Sequence, residues 1–433
     1  MSRAAFKLNA RKTSAAHTAA ERATAYALAY NRPQGLNRTK LLRKLFPAWD
    51  AVGIVQHHDS MTGTMSAIGT YTAWGSSDRN ATRLQESLCT ASNPDCQTLE
   101  DYTARLQTAS DNSAEVIAEV LDTKSGQTEE TSTHFTVFNS LAQRRTSVVG
   151  FPLAGVLDPG VNGVGVRDAR GDPVQAQLSR QNDTVYIVAN VSSLSTASFD
   201  IVSPCTSDCA ELPTITEGVI DLSNTHGTTV TMAESTGLPE KINGVHAQHR
   251  YAQYHAEQGG PYVLIETDSA SPLPAHSLLG SVSAIGPIFQ EVESTFDLGY
   301  NSSGDLISTT RVYTDPDCEQ AGIVEIQHGV PEKIGDNREL IMHVATGLAT
   351  DGSLWTDESG LEMHERAYDP TLPISGNYHV REHVTVLCLL RYADATISVR
   401  RVLYCRPQFA QNARPNTRDR NIRRKTRQNR CPY

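Results

Sequence analysis

The apolar residues of this chain change their spacing near residue 130, and that change dictates two kinds of structure in one polypeptide. Before it, apolar side chains recur at helical intervals. Leu41, Leu42, Leu45, Trp49, Val52 and Val55 form one such stripe, and Leu99, Tyr102, Leu106, Val116, Ile117, Val120 and Leu121 form another. After it, short runs alternate apolar and polar residues as strands do, between Gly, Asn and Asp turns. Examples are Phe135 with Val137, Val185-Tyr-Ile-Val-Ala, Phe199-Asp-Ile-Val, Thr228-Thr-Val-Thr-Met, Ile323-Val-Glu-Ile and Leu340-Ile-Met-His-Val. No helical pattern is interleaved with these runs, which argues against a parallel βαβ sheet.

The fold class expected is therefore α+β and multidomain: a helical bundle followed by antiparallel β-sandwich domains. Residues 1–125 form the bundle, 126–133 a polar linker, 134–400 the β-rich region and 401–433 a disordered tail. Within the bundle, a first helix is expected over about Ala15–Tyr30, ended by Pro33 and Gly35. A second begins near Asn37, with Pro47 kinking or splitting it. A third runs over about Thr82–Leu88 and again from Leu99 to Val120.

With 433 residues, 39% of them hydrophobic, the chain can bury substantial cores. No apolar run reaches the roughly 18 residues that would suggest a membrane helix, and the first thirty residues hold no apolar core of a signal peptide. The formal charge of −10 is unevenly spread. From Arg400 to Tyr433 eleven basic residues face one acid, Asp419, a net of +10 that leaves −20 for the remainder. Such a tail can bind nucleic acid or an anionic membrane. The reading favoured is an altered end without a selected role, so nucleic acid is not expected as a partner.

The eight cysteines include two close pairs, Cys89 with Cys96 and Cys205 with Cys209. Their spacing suits small disulfide loops in an oxidising compartment; metal binding or free thiols are the alternatives, and neither pair has Cys-x-x-Cys spacing. Five Asn-x-Ser/Thr sequons, at Asn37, Asn80, Asn182, Asn190 and Asn301, are compatible with a glycosylated lumenal protein.

The densest metal-ligand chemistry lies where the second helical stripe ends, in Gln56-His57-His58-Asp59 followed by Thr62-Gly63-Thr64. Two imidazoles and a carboxylate are a donor set that suits zinc, although a catalytic zinc usually takes three protein ligands. The structural alternative is a pair of histidines hydrogen-bonded to backbone or to Asp59 at a helix end.

This motif resembles the Gln-His-His-Asp-Ala-hydrophobic-Ser/Thr-Gly-Thr signature of glycoside hydrolase family 38, the lysosomal and Golgi class II α-mannosidases. Ser60 stands where the family usually has Ala. Further blocks are similar in the same order: Phe138-Asn139-Ser140-Leu141, with Ser140 in place of a usual Pro; Ser235-Thr236-Gly237-Leu238 with Ile242; Gly260-Pro261-Tyr262-Val263-Leu264; Gly286-Pro287 with Gln290-Glu291-Val292; and Trp355-Thr356-Asp357-Glu358-Ser359-Gly360 with Glu365-Arg366 and Ser375-Gly376-Asn377-Tyr378. The similarity runs over roughly residues 20–380.

The resemblance implies that His58 is a zinc ligand, that Asp59 and Tyr262 contact the substrate, and that Cys89 and Cys96 form a disulfide. It implies mannose-containing glycans as partners and the lysosome or the secretory-pathway lumen as the compartment. For Tyr262 the alternative is an aromatic packed in a strand core. In the family the nucleophile is an Asp that also binds zinc, and further ligands come from a His-x-Asp motif, all in an amino-terminal barrel. A retaining glycosidase needs two carboxyl groups about 5–5.5 Å apart. The only His-x-Asp in this sequence is His57-x-Asp59 itself. The expectation is therefore a chain holding one of the zinc ligands and no nucleophile, inactive without a barrel supplied from elsewhere. A non-catalytic carbohydrate-binding or scaffold module is the second reading.

Overall fold

The computed structural model describes residues 4–29, 36–62, 99–121, 133–153 and, with short breaks, 163–377. The Cys89 and Cys96 pair, the Thr82–Leu88 helical run, Asn80, Asn182, Asn301, Tyr262, nearly all of the linker and the basic tail lie outside these residues.

Among the described residues, four helices open the fold: α1 (Ala4–Ala29), α2 (Arg38–Ile54), α3 (His58–Thr62) and α4 (Leu99–Val120). α1 begins well before the expected start at Ala15. Its buried stripe is Phe6, Ala10, Thr13, His17, Ala20, Thr24 and Ala27, a strict four-three repeat. Three of those positions are Thr or His, which hid the amphipathic period from a reading of apolar residues alone.

α2 begins where its sequence suggests, and the Asn37 side chain caps it by accepting from the backbone N–H of Lys40 at 3.1 Å. Leu41, Leu45, Ala48, Ala51 and Val55 are buried. Two expectations are corrected. Pro47 does not split the helix, because it lies on the solvent side of a helix that runs unbroken from Arg38 to Ile54. Trp49 is 64% exposed. Ala48, Ala51 and Ala109 pack together where α2 meets α4, so the buried edge is made of methyl groups and the indole falls on the open side. α4 buries Tyr102, Leu106, Ala109, Ser113, Val116 and Val120 at alternating steps of four and three. Ala20, Ala23 and Ala27 of α1, Leu41 and Leu45 of α2, and Val116 and Val120 of α4 share one cluster, and Phe138 from the first strand packs against it.

Beyond the helices the chain is mostly β, and every strand ladder among the described residues is antiparallel. The molecule is thus a β-rich α+β protein. A four-stranded sheet (His134–Asn139, Ser195–Val202, Gly165–Asp168, Pro173–Val174) and a three-stranded sheet (Arg145–Pro152, Thr184–Val191, Ala176–Leu178) contribute to one core that includes Phe151, Val166, Leu178, Ile187 and Phe199. Cys205 and Cys209 form a disulfide beside this core, with their Cα atoms 5.6 Å apart.

A five-stranded sheet follows, ordered Val324–Gly329, Leu306–Tyr313, Phe289–Phe296, Leu278–Ile285 and Thr214–Glu217. It shares two clusters with a seven-stranded sheet built around the long strand Val245–Gly259. One contains Leu222, Val230, Met232, Val292 and Val312, the other Leu238, Tyr251, Phe296, Leu298 and Leu306. Ile288, Phe289 and Tyr313 pack against Val148, Tyr186 and Val188, joining the five-stranded sheet to the three-stranded one.

Candidate functional site

The end of α2 tightens before it turns. Gln56 and His57 donate their N–H groups to Gly53 and Ile54, three residues back, at 3.1 and 2.9 Å. The carbonyl of His57 then accepts from both Ser60 and Met61 at 3.0 Å, starting the short helix α3. This corner aims consecutive side chains in different directions. His57 turns toward α4, where its Nδ1 shares a hydrogen bond of 3.1 Å with the hydroxyl of Tyr102, and the two rings lie nearly parallel. His58 faces solvent with its side chain 78% exposed, and its Nε2 stands 3.5 Å from Oδ2 of Asp59. Ser60 is fully buried behind them, its hydroxyl without a hydrogen-bond partner.

Tyr102 is itself fully buried. Burial pushes its phenol above the ordinary range, and the negative charges of Asp101 and Asp59 add to this. The phenol therefore stays neutral. It fixes the His57 ring: in the tautomer whose Nδ1–H donates to the Tyr102 oxygen, Nε2 keeps its lone pair available.

One donor atom from each of His57, His58 and Asp59 lies within 4.8 Å of the others. Bonds of about 2.0–2.1 Å in a tetrahedral array place ligand atoms roughly 3.4 Å apart. The 3.5 Å between His58 and Asp59 already meets that spacing. The three residues fit a divalent cation that accepts nitrogen and oxygen donors.

Of the residues that the sequence nominates, the structure leaves His58 in solvent and Asp59 half-buried beside it. In sequence Tyr102 reads only as a member of an apolar stripe, and nothing in its context distinguishes a stripe tyrosine that packs from one whose hydroxyl bonds to His57. Tyr262, the third candidate, lies outside the described residues.

No family model matches this chain. It is 28% identical over 170 residues to Alpha-mannosidase 2 of Arabidopsis thaliana, a match covering 37% of this chain and 14% of that protein. The chain thus aligns with well under two thirds of that relative's length. The relationship is mannosidase-like and the origin glycoside-hydrolase-like.

Proposed function

We propose that these residues belong to a zinc-dependent retaining α-mannosidase of the family 38 type, which trims terminal α-mannose from N-glycans in the lysosome or another lumen of the secretory pathway. The observation that carries the reading is the convergence of His57, His58 and Asp59 in a chain with a mannosidase relative. The sequons at Asn37 and Asn190, both exposed, and the Cys205–Cys209 disulfide agree with a lumenal setting.

In this reading His58 holds the metal, and Asp59 accepts hydrogen bonds from the sugar while lying against it. His57, oriented by Tyr102, limits the freedom of the corner and supplies a further nitrogen. Zinc, when bound, polarises the 2- and 3-hydroxyls of the mannose ring. The nucleophile and the remaining ligands belong to a further domain carrying a second His-x-Asp, so the residues present here bind and orient without cleaving.

Titration of the alkylated full chain with Zn²⁺ tests the metal assignment. One weak site is expected, lost in His58→Ala and weakened in Asp59→Asn. Zinc binding unchanged by His58→Ala overturns the assignment. An assay on an aryl α-mannoside with added zinc should give no turnover, and appreciable turnover by this chain would refute the need for an external nucleophile.

A further inference from the structure

We propose a second, metal-independent saccharide site in the cleft between the turn at Ser179–Thr184 and the five-stranded sheet. The cleft has a volume of about 400 Å³ and opens where two separately hydrogen-bonded sheets meet. Junctions of this kind are where ligand sites form, at volumes of about 300–1,000 Å³. Its position and lining are independent of the His57–Asp59 corner, so this inference goes beyond the function proposed above.

Two ion pairs brace it, one between lining residues and one that holds the lining residue Glu293 from behind. Arg180, on the turn, is paired with Glu293, on the sheet, and so ties the two walls together. Glu291 and Arg311 stand directly opposite each other on neighbouring strands, with Nη2 and Nε of Arg311 at 2.6 and 3.0 Å from Oε2 of Glu291. The Arg311 guanidinium also lies 4.1 Å above the ring of Phe289 and 5.6 Å from that of Tyr186. Both guanidinium heads are therefore held before any ligand arrives, which lowers the ordering cost of binding.

A fixed carboxylate beside a fixed guanidinium offers acceptors and donors side by side. A hydroxyl group can use both at once, donating to the one and accepting from the other, and vicinal hydroxyls on a pyranose ring repeat that pattern. The charges select against the alternatives. Within each pair they cancel, and the remaining charged lining group, Asp183, is an anion whose Oδ1 accepts from Ser179 and Thr184. An anionic ligand would face Asp183 without compensation. An apolar ligand would strip water from Glu291, Glu293 and Arg311 without replacing its hydrogen bonds. A neutral, hydroxyl-rich ligand replaces them.

Saturation-transfer NMR on the full chain with methyl α-mannoside and methyl α-glucoside tests the site. Saturable binding of at least one is expected, unaffected by EDTA and by His58→Ala. Gln181→Trp, which fills the mouth from an exposed position, should weaken it about tenfold or more with unchanged thermal unfolding, and Arg180→Ala, which releases Glu293, should weaken it likewise. No saturable binding, binding that survives both variants, or displacement of the sugar by sulfate would overturn the proposal. Binding abolished by EDTA or by His58→Ala would also overturn it, while leaving the metal-site reading intact.

Discussion

Ser60 follows Asp59 directly, and its environment argues for a smaller residue. It is fully buried and its hydroxyl has no hydrogen-bond partner, a burden of about 1 kcal/mol or more for an oxygen taken out of water. Ser60→Ala should therefore raise the unfolding free energy by about 1 kcal/mol in urea titration and leave zinc binding as it is. A loss of stability would mean that the hydroxyl has a partner and that this reading of the corner is wrong. The two histidines before it show how much of the site was legible. A His-His-Asp run advertises its donor atoms in sequence. Which ring faces the protein and which faces water depends on a two-residue corner and on Tyr102, 45 positions further along the chain. Another buried imidazole sets a pH dependence. Desolvation pulls the pKa of His249 below its ordinary 6.5, against the opposing carbonyls of Ala247 and Pro239. As pH falls through about 6.5 the unfolded chain takes up a proton that the folded chain resists, so stability is lost on acidification and is constant above that window. The urea midpoint should fall between about pH 7.5 and pH 5.5, and less so in His249→Gln.

At the level of single elements, α2 shows a signal that was read well beside one that was not. Its start was legible to within a residue, the structure shows Asn37 capping it, and Asn37→Ala should cost about 1 kcal/mol in thermal or chemical unfolding. Its middle was misread because Pro47 is a strong breaker only where the surrounding packing cannot hold the helix together. Here Leu41 and Leu45 before it and Ala48 and Ala51 after it all dock on the same side. Pro47→Ala should restore a backbone donor and stabilise the protein by up to about 3 kcal/mol; destabilisation would show that the proline is needed to shape the corner at His57. The five-stranded sheet was hard to see for a different reason. Inward positions on its strands are filled by Ser283, Ser294, Ser308 and Thr310, all essentially fully buried. Small polar residues in these places break the apolar alternation that marks a strand. Ser294 explains its own presence: its hydroxyl donates to the carbonyl of Gly237 at 2.7 Å, in a turn where Gly237 has φ +63° and a Cβ would sit 2.4 Å from that oxygen.

Across the whole molecule, one residue joins the three-stranded sheet to the five-stranded one through directed bonds rather than apolar contact. Gln177 is completely buried, and its Oε1 accepts from the backbone N–H groups of Ile288 and Phe289 at 2.8 and 3.0 Å. Its Nε2 donates to the carbonyl of Phe289 at 3.3 Å. Gly286 is small because this side chain lies against it: a Cβ there would fall 2.2 Å from the Gln177 amide carbon. Nothing in the alternation warns of this clasp, since a glutamine between Ala176 and Leu178 reads as an outward-facing strand residue. Replacing it with an apolar residue of similar size leaves two buried amides without acceptors while keeping most of the volume. Gln177→Leu should therefore lower the unfolding free energy by roughly 2–5 kcal/mol. It should also speed amide exchange at Ile288 and Phe289 more than at Val312, which lies deeper in the same sheet. Unchanged exchange at those two amides, or a stability change of less than about 0.5 kcal/mol, would mean that the two sheets are held together by the Tyr186, Phe289 and Tyr313 contacts and the Arg180–Glu293 ion pair without help from Gln177. In that case the saccharide cleft, whose walls belong to the same two sheets, would not depend on the clasp for its shape.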